Sequence, residues 1–295
     1  MLPQKSAVVV PQAPADGSLK RSKVPQEPKI SVATSEINEK RDGHKAYELA
    51  LTKAIEQVSK ELDGSADLIL CFVSAVGAKR LQELKLKKVA ELTKDEETEL
   101  ANLESIVPTP EGVLKCASTL VGDVPFAAGT TNDFQAGKNK IAGSMEQECF
   151  DGYNKASLVV WAIRDPDGAF AVGGSTGADK QGGLDAANEA KKALHADLKK
   201  TYSDEKLLVW LMATPGNEEE VLNGVREAVP RSRLLGASSA DEDPSDVNDH
   251  SWQCIGGPQG RSWGRRAGVG ELQGWRGGRS DASVGRVYVC VLPWL

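Results

Sequence analysis

No stretch of this sequence reaches the roughly 18 to 20 apolar residues that a membrane-spanning helix needs. The longest apolar runs, residues 158–163 and 207–213, have the length of strands. Cysteine is sparse and unpaired in pattern: Cys71, Cys116, Cys149, Cys254 and Cys290 are odd in number, widely spaced and without a C-x-x-C pair. That excludes a disulfide framework and zinc-site spacing, and it fits a reducing, cytoplasmic compartment. Positive charge is not in excess. The formal net charge of −6 and the pI of 5.3 supply no broad field for nucleic acid. Histidine is limited to His44, His195 and His250. There is no G-x-S-x-G elbow and no dinucleotide fingerprint, and the glycines at 173–177 fail P-loop spacing because Lys180 follows Asp179. A Ser239/His250/Asp243 triad can be drawn on paper, which keeps a hydrolase as a third class of function. The residues themselves predict no catalytic centre, no metal and no cofactor. The acidic run 241–249 lacks the spacing and glycine of a calcium loop.

What is present is an ordinary globular composition, 40% hydrophobic and 26% charged. Five prolines in the first 28 residues, with an apolar stretch of only Ala7–Val10, predict a disordered N-terminal tail over 1–40 rather than a signal or transit helix. Apolar residues at helical spacing predict a helix over 42–62, stopped by Asp63-Gly64-Ser65. The run Leu68–Val73 is apolar at every position, as in a strand buried on both faces. Residues 77–105 are rich in Lys and Glu with leucines at helical spacing, and Thr93-Lys94-Asp95-Glu96 has capping-box form. This predicts an inserted helical hairpin, either a solvated excursion or a partner-binding arm. Thr109-Pro110-Glu111 opens another helix, followed by a strand at Val124–Ala128.

The second half reads similarly. Ser157–Arg164 is a buried strand, and Asp165-Pro166-Asp167-Gly168 is a turn that predicts Ala169–Val172 as its hairpin partner. A helix over 184–202 follows, with His195 expected on its solvent side. Then come a strand at 206–213, a helix after Asn217 and a strand at 233–235. Helix, strand, helix, strand therefore occurs twice. The first copy, 42–133, ends in Gly-Thr-Thr-Asn-Asp, and the second, 184–241, ends in Gly-Ala-Ser-Ser-Ala-Asp. The expected fold is α/β: two related α-β-α-β halves sharing a sheet, with the hairpin insertion and flexible termini. The domain is expected over 41–255. Residues 256–295, crowded with glycine and arginine and carrying Trp263 and Trp275, read as a weakly ordered tail with a final strand at 287–292. Such a tail can stack on nucleic acid or remain unstructured.

Several segments, in this order, resemble the FIST family (F-box and intracellular signal transduction), and specifically its N-terminal region. They are Ala66–Val73, Val124–Thr131, Ser157–Ile163 with the glycines after it, Leu208–Gly216 and Leu234–Asp241, together spanning about residues 40–255. The resemblance implies an intracellular sensory domain that binds a small polar metabolite such as an amino acid and acts on a signalling or adaptor protein. The chain departs from the pattern by its 77–105 insertion, by lacking the second FIST region, and by having no leucine-rich F-box pattern in residues 1–40.

The candidate binding residues are the two glycine-hydroxyl-aspartate ends: Gly129, Thr130, Thr131 and Asp133, with Gly236, Ser238, Ser239 and Asp241. In an open α/β sheet, ligands sit beyond the carboxyl ends of strands. Glycine would admit the ligand to backbone amides, hydroxyls donate and accept, and the aspartates would take an ammonium group. The same residue types also close tight turns and satisfy local backbone. Gly173–Gly177 offers consecutive amides to an anion, or serves only as a strand-to-helix connection. The alternative function is a protein-interaction scaffold or ubiquitin-ligase adaptor engaged through the 77–105 hairpin.

Overall fold

The structure is a computed structural model and describes residues 27–37, 46–74, 77–87, 91–131, 135–138, 145–148, 157–197, 203–213, 215–239, 252–256 and 287–293. In chain order the elements are β1 (Lys29–Glu36), α1 (Ala46–Leu62), β2 (Leu68–Ser74), α2 (Ala78–Leu86), α3 (Lys94–Ile106), α4 (Pro110–Val121), β3 (Phe126–Thr131), β4 (Gln135–Lys138), β5 (Met145–Glu148) and β6 (Ser157–Arg164). They continue with β7 (Ala171–Ser175), α5 (Lys180–Asp197), β8 (Leu207–Ala213), α6 (Glu218–Ala228), β9 (Arg233–Ser238), β10 (Gln253–Gly256) and β11 (Val287–Pro293).

The α/β class is as the sequence implies, but the halves do not share one sheet. The first builds a five-stranded sheet in the order β1-β6-β2-β3-β10, and the second a four-stranded sheet in the order β7-β11-β8-β9. β2 and β3 run parallel, as do β8 and β9, while β6 and β11 lie antiparallel beside β2 and β8. Setting aside α2–α3, β4–β5 and β10, the strand orders β1-β6-β2-β3 and β7-β11-β8-β9 correspond. Only β10 crosses over: it follows β9 in the chain yet pairs antiparallel with β3, Gln253 opposite Gly129 and Gly256 opposite Phe126.

The reason for two sheets lies in β2, which is buried at nearly every position. Alternate residues Ile69, Cys71 and Val73 pack with Leu51, Ile55 and Val58 of α1 and Val113 and Ala117 of α4. The other set, Leu68 and Leu70 with Phe72, packs against Val172, Met212 and Trp210 of the second sheet. α5 and α6 cover the far face of that sheet, Ala186, Ala190, Leu194, Val221 and Val225 meeting Val209 and Leu211. The result is four layers, helix–sheet–sheet–helix. In the middle layer Trp210 sits 6.1 Å from the Phe72 ring and 6.4 Å from the Trp161 ring, tilted 52° to each, which is favourable aromatic geometry. Each large side chain buried here stabilises the fold by about 1.5–3 kcal/mol.

Three sequence expectations change. Lys29–Glu36, assigned to a disordered tail, is an edge strand paired with β6 along its whole length. Its alternation of Ile30, Val32 and Thr34 with Ser31, Ala33 and Ser35 is short and follows a proline-rich stretch, so the period-2 signal was hidden. Ala171–Ser175 is not a hairpin partner of β6. The Asp165–Gly168 turn forms, with the Gly168 amide donating to the Asp165 carbonyl at 2.9 Å, but it carries the chain into the other sheet. The final strand is no appendage to a tail, because β11 lies between β7 and β8 and pairs with both. The domain therefore reaches beyond 41–255 at both ends, while 1–26 and 257–286 lie outside the described residues. The helix expected over 184–202 spans Lys180–Asp197.

The inserted hairpin forms as α2 and α3. Thr93 and Glu96 complete a capping box, each side chain bonded to the other's backbone amide. Arg80 donates Nε and Nη2 to the two carboxylate oxygens of Glu99 at 3.0 and 2.8 Å, a bidentate pair that locks the helices together.

Ending the chain at residue 286 removes β11, the strand that joins β7 to β8. The truncated protein is expected to lose the cooperative unfolding of its second half, a cost above about 4 kcal/mol. Thermal unfolding followed by circular dichroism checks this, and an unchanged midpoint would return residues 287–293 to the status of a dispensable tail.

Candidate functional site

The two glycine-hydroxyl ends look equivalent when their glycines are aligned, but their side chains point to opposite faces. In β3, Phe126 and Ala128 pack toward the helices while Ala127 faces the second sheet. Gly129 therefore faces inward, where a Cβ would lie 2.7 Å from Met212 Cε and 2.9 Å from Ser239 Oγ. In β9, Leu234 packs toward the helices, so Gly236 faces them too. The faces match when the alignment moves by one residue, which places Thr130 with Ser238 and Thr131 with Ser239. A one-residue shift exchanges the faces of every side chain in a strand, so this offset decides which hydroxyls meet.

The helix-facing set is structural. Thr130 Oγ1 accepts from the Trp252 amide at 3.0 Å, and the Thr130 amide donates to the Trp252 carbonyl at 3.0 Å, which fastens β10 to β3. Ser238 Oγ donates to Glu218 Oε1 at 2.7 Å and ties the end of β9 to the first turn of α6. Gly236, at φ +141°, lies so close to β8 that a Cβ would stand 2.0 Å from the Leu211 carbonyl oxygen. Local backbone needs account for these three residues.

The inward set is different. Gly129 of the first half lies against Ser239 of the second at the end of the layer between the sheets, and Thr131 continues the same face of β3. Thr131 Oγ1 is buried and has no hydrogen-bond partner among the described residues. Ser239 is 4% exposed, its amide held by the Ala213 carbonyl at 2.8 Å. The inward face of β2 reads Leu68, Leu70, Phe72, Ser74, so the apolar run ends on a hydroxyl, and Ser74 stands directly opposite Thr131. Ser157 occupies the next position on β6, one residue past the Val73–Leu158 pair. Gln253, opposite Gly129 on β10, is fully buried. Thus Ser157, Ser74 and Thr131 form a row across three strands, and one step back along β3 Gly129 lies beside Gln253 and against Ser239 and Met212 of the second sheet. Sequence reasoning missed Ser74, Ser157 and Gln253. The available signal was the inward alternation continuing one step beyond each apolar run.

Comparison with known proteins adds little to this geometry. No family model and no curated protein matches the chain. Among solved structures it is similar to a cyanuric acid hydrolase from A. caulinodans at 11% identity, TM-score 0.34, covering 91% of this chain and 72% of that one.

Other sequence candidates resolve as packing. Gly173 lies so close to α5 that a Cβ would meet the Ala186 carbonyl oxygen at 2.3 Å, and the Gly174 amide already donates to Glu189 Oε2 at 2.9 Å. Asp179 caps α5 by accepting from the Gly182 amide at 2.7 Å. Residues 173–175 therefore belong to β7 and 176–179 lead into α5, with the Gly174 and Gly177 amides already in use. His195 does not point its ring to solvent, since Nε2 is buried. Burial holds the Cys71 thiol far above its ordinary range, as expected for a small core residue. Asp133, Asp241 and His250 lie outside the described residues. A surface depression of about 240 Å³, lined by Glu27, Lys29, Asp63, Arg164 and Pro166, sits at the opposite end of the first sheet. Its Arg164 is committed to the Leu62 and Asp63 carbonyls at the end of α1.

The Ser238 hydroxyl, with help from the Gly216 amide, holds the Glu218 carboxyl below the usual carboxylate range. A depressed pKa contributes stability above the unfolded carboxylate range that disappears as pH falls through the folded value. Ser238→Ala is expected to cost about 0.5–1 kcal/mol at pH 7, a figure reduced for the partial exposure of the pair. The difference from wild type should shrink toward zero once Glu218 is protonated in both. Urea unfolding at pH 7 and at pH 3 reads this, and a cost independent of pH would show that the bond does not act through the carboxylate.

Proposed function

We propose that this chain binds a small polar ligand at the hydroxyl-lined end of the layer between its two sheets. In this reading it serves as a sensory module, as its resemblance to the FIST family implies, passing occupancy to a signalling or adaptor protein. The observation that carries the reading is the buried Thr131 hydroxyl, without a partner among the described residues and on the same face as Gly129, which lies against Ser239. A buried hydroxyl without a partner costs about 1–3 kcal/mol, and a ligand able to donate or accept at that point recovers it. The surrounding groups set the chemistry. Serine and threonine hydroxyls and the Gln253 amide both donate and accept, so a neutral polar or zwitterionic molecule suits them. Asp133 and Asp241 each follow an inward hydroxyl by two residues and are the acceptors expected for an ammonium group, which makes amino acids the first ligands to test.

A scaffold role has one observation in its favour. The α2–α3 hairpin is braced by Arg80–Glu99, Lys85–Glu104 and Lys87–Glu96 pairs and carries Leu86 at 66% exposure. Deleting 78–106 without loss of any co-purifying protein would remove that reading.

For the ligand reading, thermal-shift measurements on the full chain with each common amino acid should give at least one hit. A ligand at 100 times its Kd adds about 2.7 kcal/mol, several degrees for a domain of this size. Thr131→Val should leave the unliganded fold as stable or up to about 1 kcal/mol more stable, because it removes an unsatisfied hydroxyl, and should abolish the shift. Ser239→Ala should weaken it. A hit unaffected by either substitution would move the site elsewhere. The absence of any hit from a cooperatively folded chain would sink the amino-acid reading.

A further inference from the structure

The two halves share one strand arrangement but differ at their outer edges. In the first, β3 is not an edge, because β10, donated by the second half, adds antiparallel to it and is buried at all its positions. In the second, β9 occupies the place of β3, with β8 on one side and no strand on the other among the described residues. The side-chain consequence is direct. On the face-matched alignment Leu235 corresponds to Ala127. Ala127 is fully buried in the layer between the sheets, whereas Leu235 on that inward face of β9 is 52% exposed. Ile30, on the inward face of β1, is also open, at 59%. An edge strand that presents unpaired backbone groups beside an apolar side chain is a template for another strand.

The β3 edge shows how such a place is filled within this chain. The β3 edge is filled by a strand from the connection between the third and fourth strands of the other half. The first half carries a strand in that same connection, β5, but here it pairs only with β4 in a two-stranded ribbon. Among the described residues the second half gives a strand to the first and receives none. We propose that two copies of this chain associate through their β9 edges, each receiving the Met145–Glu148 strand of the other. The addition is antiparallel, as β10 adds to β3. The exchange is reciprocal about a two-fold axis, so both edges are filled and Leu235 is covered.

Light scattering with size exclusion on the full chain, over a range of concentration reaching about 100 μM, reads the assembly directly. The expected mass is twice the 31.5 kDa of one chain. Leu235→Arg, which places a charge on the covered face, should return the mass to that of a single chain with an unchanged circular dichroism spectrum. Hydrogen exchange on the unmodified protein keeps the proposal testable if that variant fails to fold. Amides of 233–238 and of 145–148 should both gain protection as concentration rises. A single-chain mass at the highest concentration, a dimer that survives Leu235→Arg, or protection that does not reach 145–148 would each overturn the exchange.

Discussion

A strand that is apolar on both faces must be covered on both, and that requirement at β2 determines the rest of the architecture. One layer of helices can cover only one face of a sheet. α1 and α4 take the outer face of the first sheet, and its inner face needs a second apolar sheet with its own helices behind it. β8 meets the same requirement from the other side, with Val209 and Leu211 against α5 and α6 and Trp210 and Met212 against the first sheet. The close approach of α5 to β7 follows from the same economy of space, because Gly173 leaves no volume between strand and helix backbone. A side chain there would lift α5 away from the sheet and open the core formed by Ala186, Ala187 and Ala190.

How much of this could be read from the sequence depended on how local the signal was. Helices announced themselves through caps and spacing: Thr109 with Pro110 and the Thr93–Glu96 capping box lie where the residues place them. Interior strands were legible as apolar runs. Pairing was not. The run Ser157–Arg164 and the segment after its turn look like a hairpin because the turn chemistry is correct, yet the strands join different sheets. No short-range feature states which sheet a strand joins. β11 was visible as a strand, but its central position depends on partners from 171–175 and 207–213, far away in the chain. β1 and β10 were missed for different reasons: β1 follows a proline-rich stretch, and β10 has only four residues and completes an edge set by distant chain.

The candidate site illustrates the same limit at finer grain. The sequence puts glycine and hydroxyl residues, Gly129–Thr131 and Gly236–Ser239, at the ends of the third strand of each half. The alignment on glycine was one residue out in facing. That single step separates residues that fasten neighbouring elements, Thr130 to β10 and Ser238 to Glu218 of α6, from residues that face the interior, Thr131 and Ser239. The sequence carries the needed information only jointly with burial, because hydroxyl pairs Thr-Thr and Ser-Ser put one member on each face whichever way the strand is turned. Ser74 and Ser157 were overlooked because each terminates an apolar run and so reads as the boundary of an element rather than as part of its inner surface.

That boundary position is also what makes the hydroxyl row physically tolerable. Four residues toward the other end of the layer, a buried threonine would be surrounded by Leu68, Leu70, Val172 and Ile255 and would cost its full desolvation. At the carboxyl ends of β2, β3, β8 and β9 the two sheets give way to connections, and polar groups can be satisfied from beyond the strand ends. The inward face of β2 therefore passes from leucine through Phe72 to Ser74 along its own length, and the opposing sheet passes from Trp210 and Met212 to Ser239. The apolar part supplies the burial that holds the sheets in fixed register. The hydroxyl part, carried on those same rigid strands, inherits the positional precision of a core. A binding surface made this way needs no separate scaffold, since the residues that would contact a ligand differ by one alternation from those that stabilise the fold.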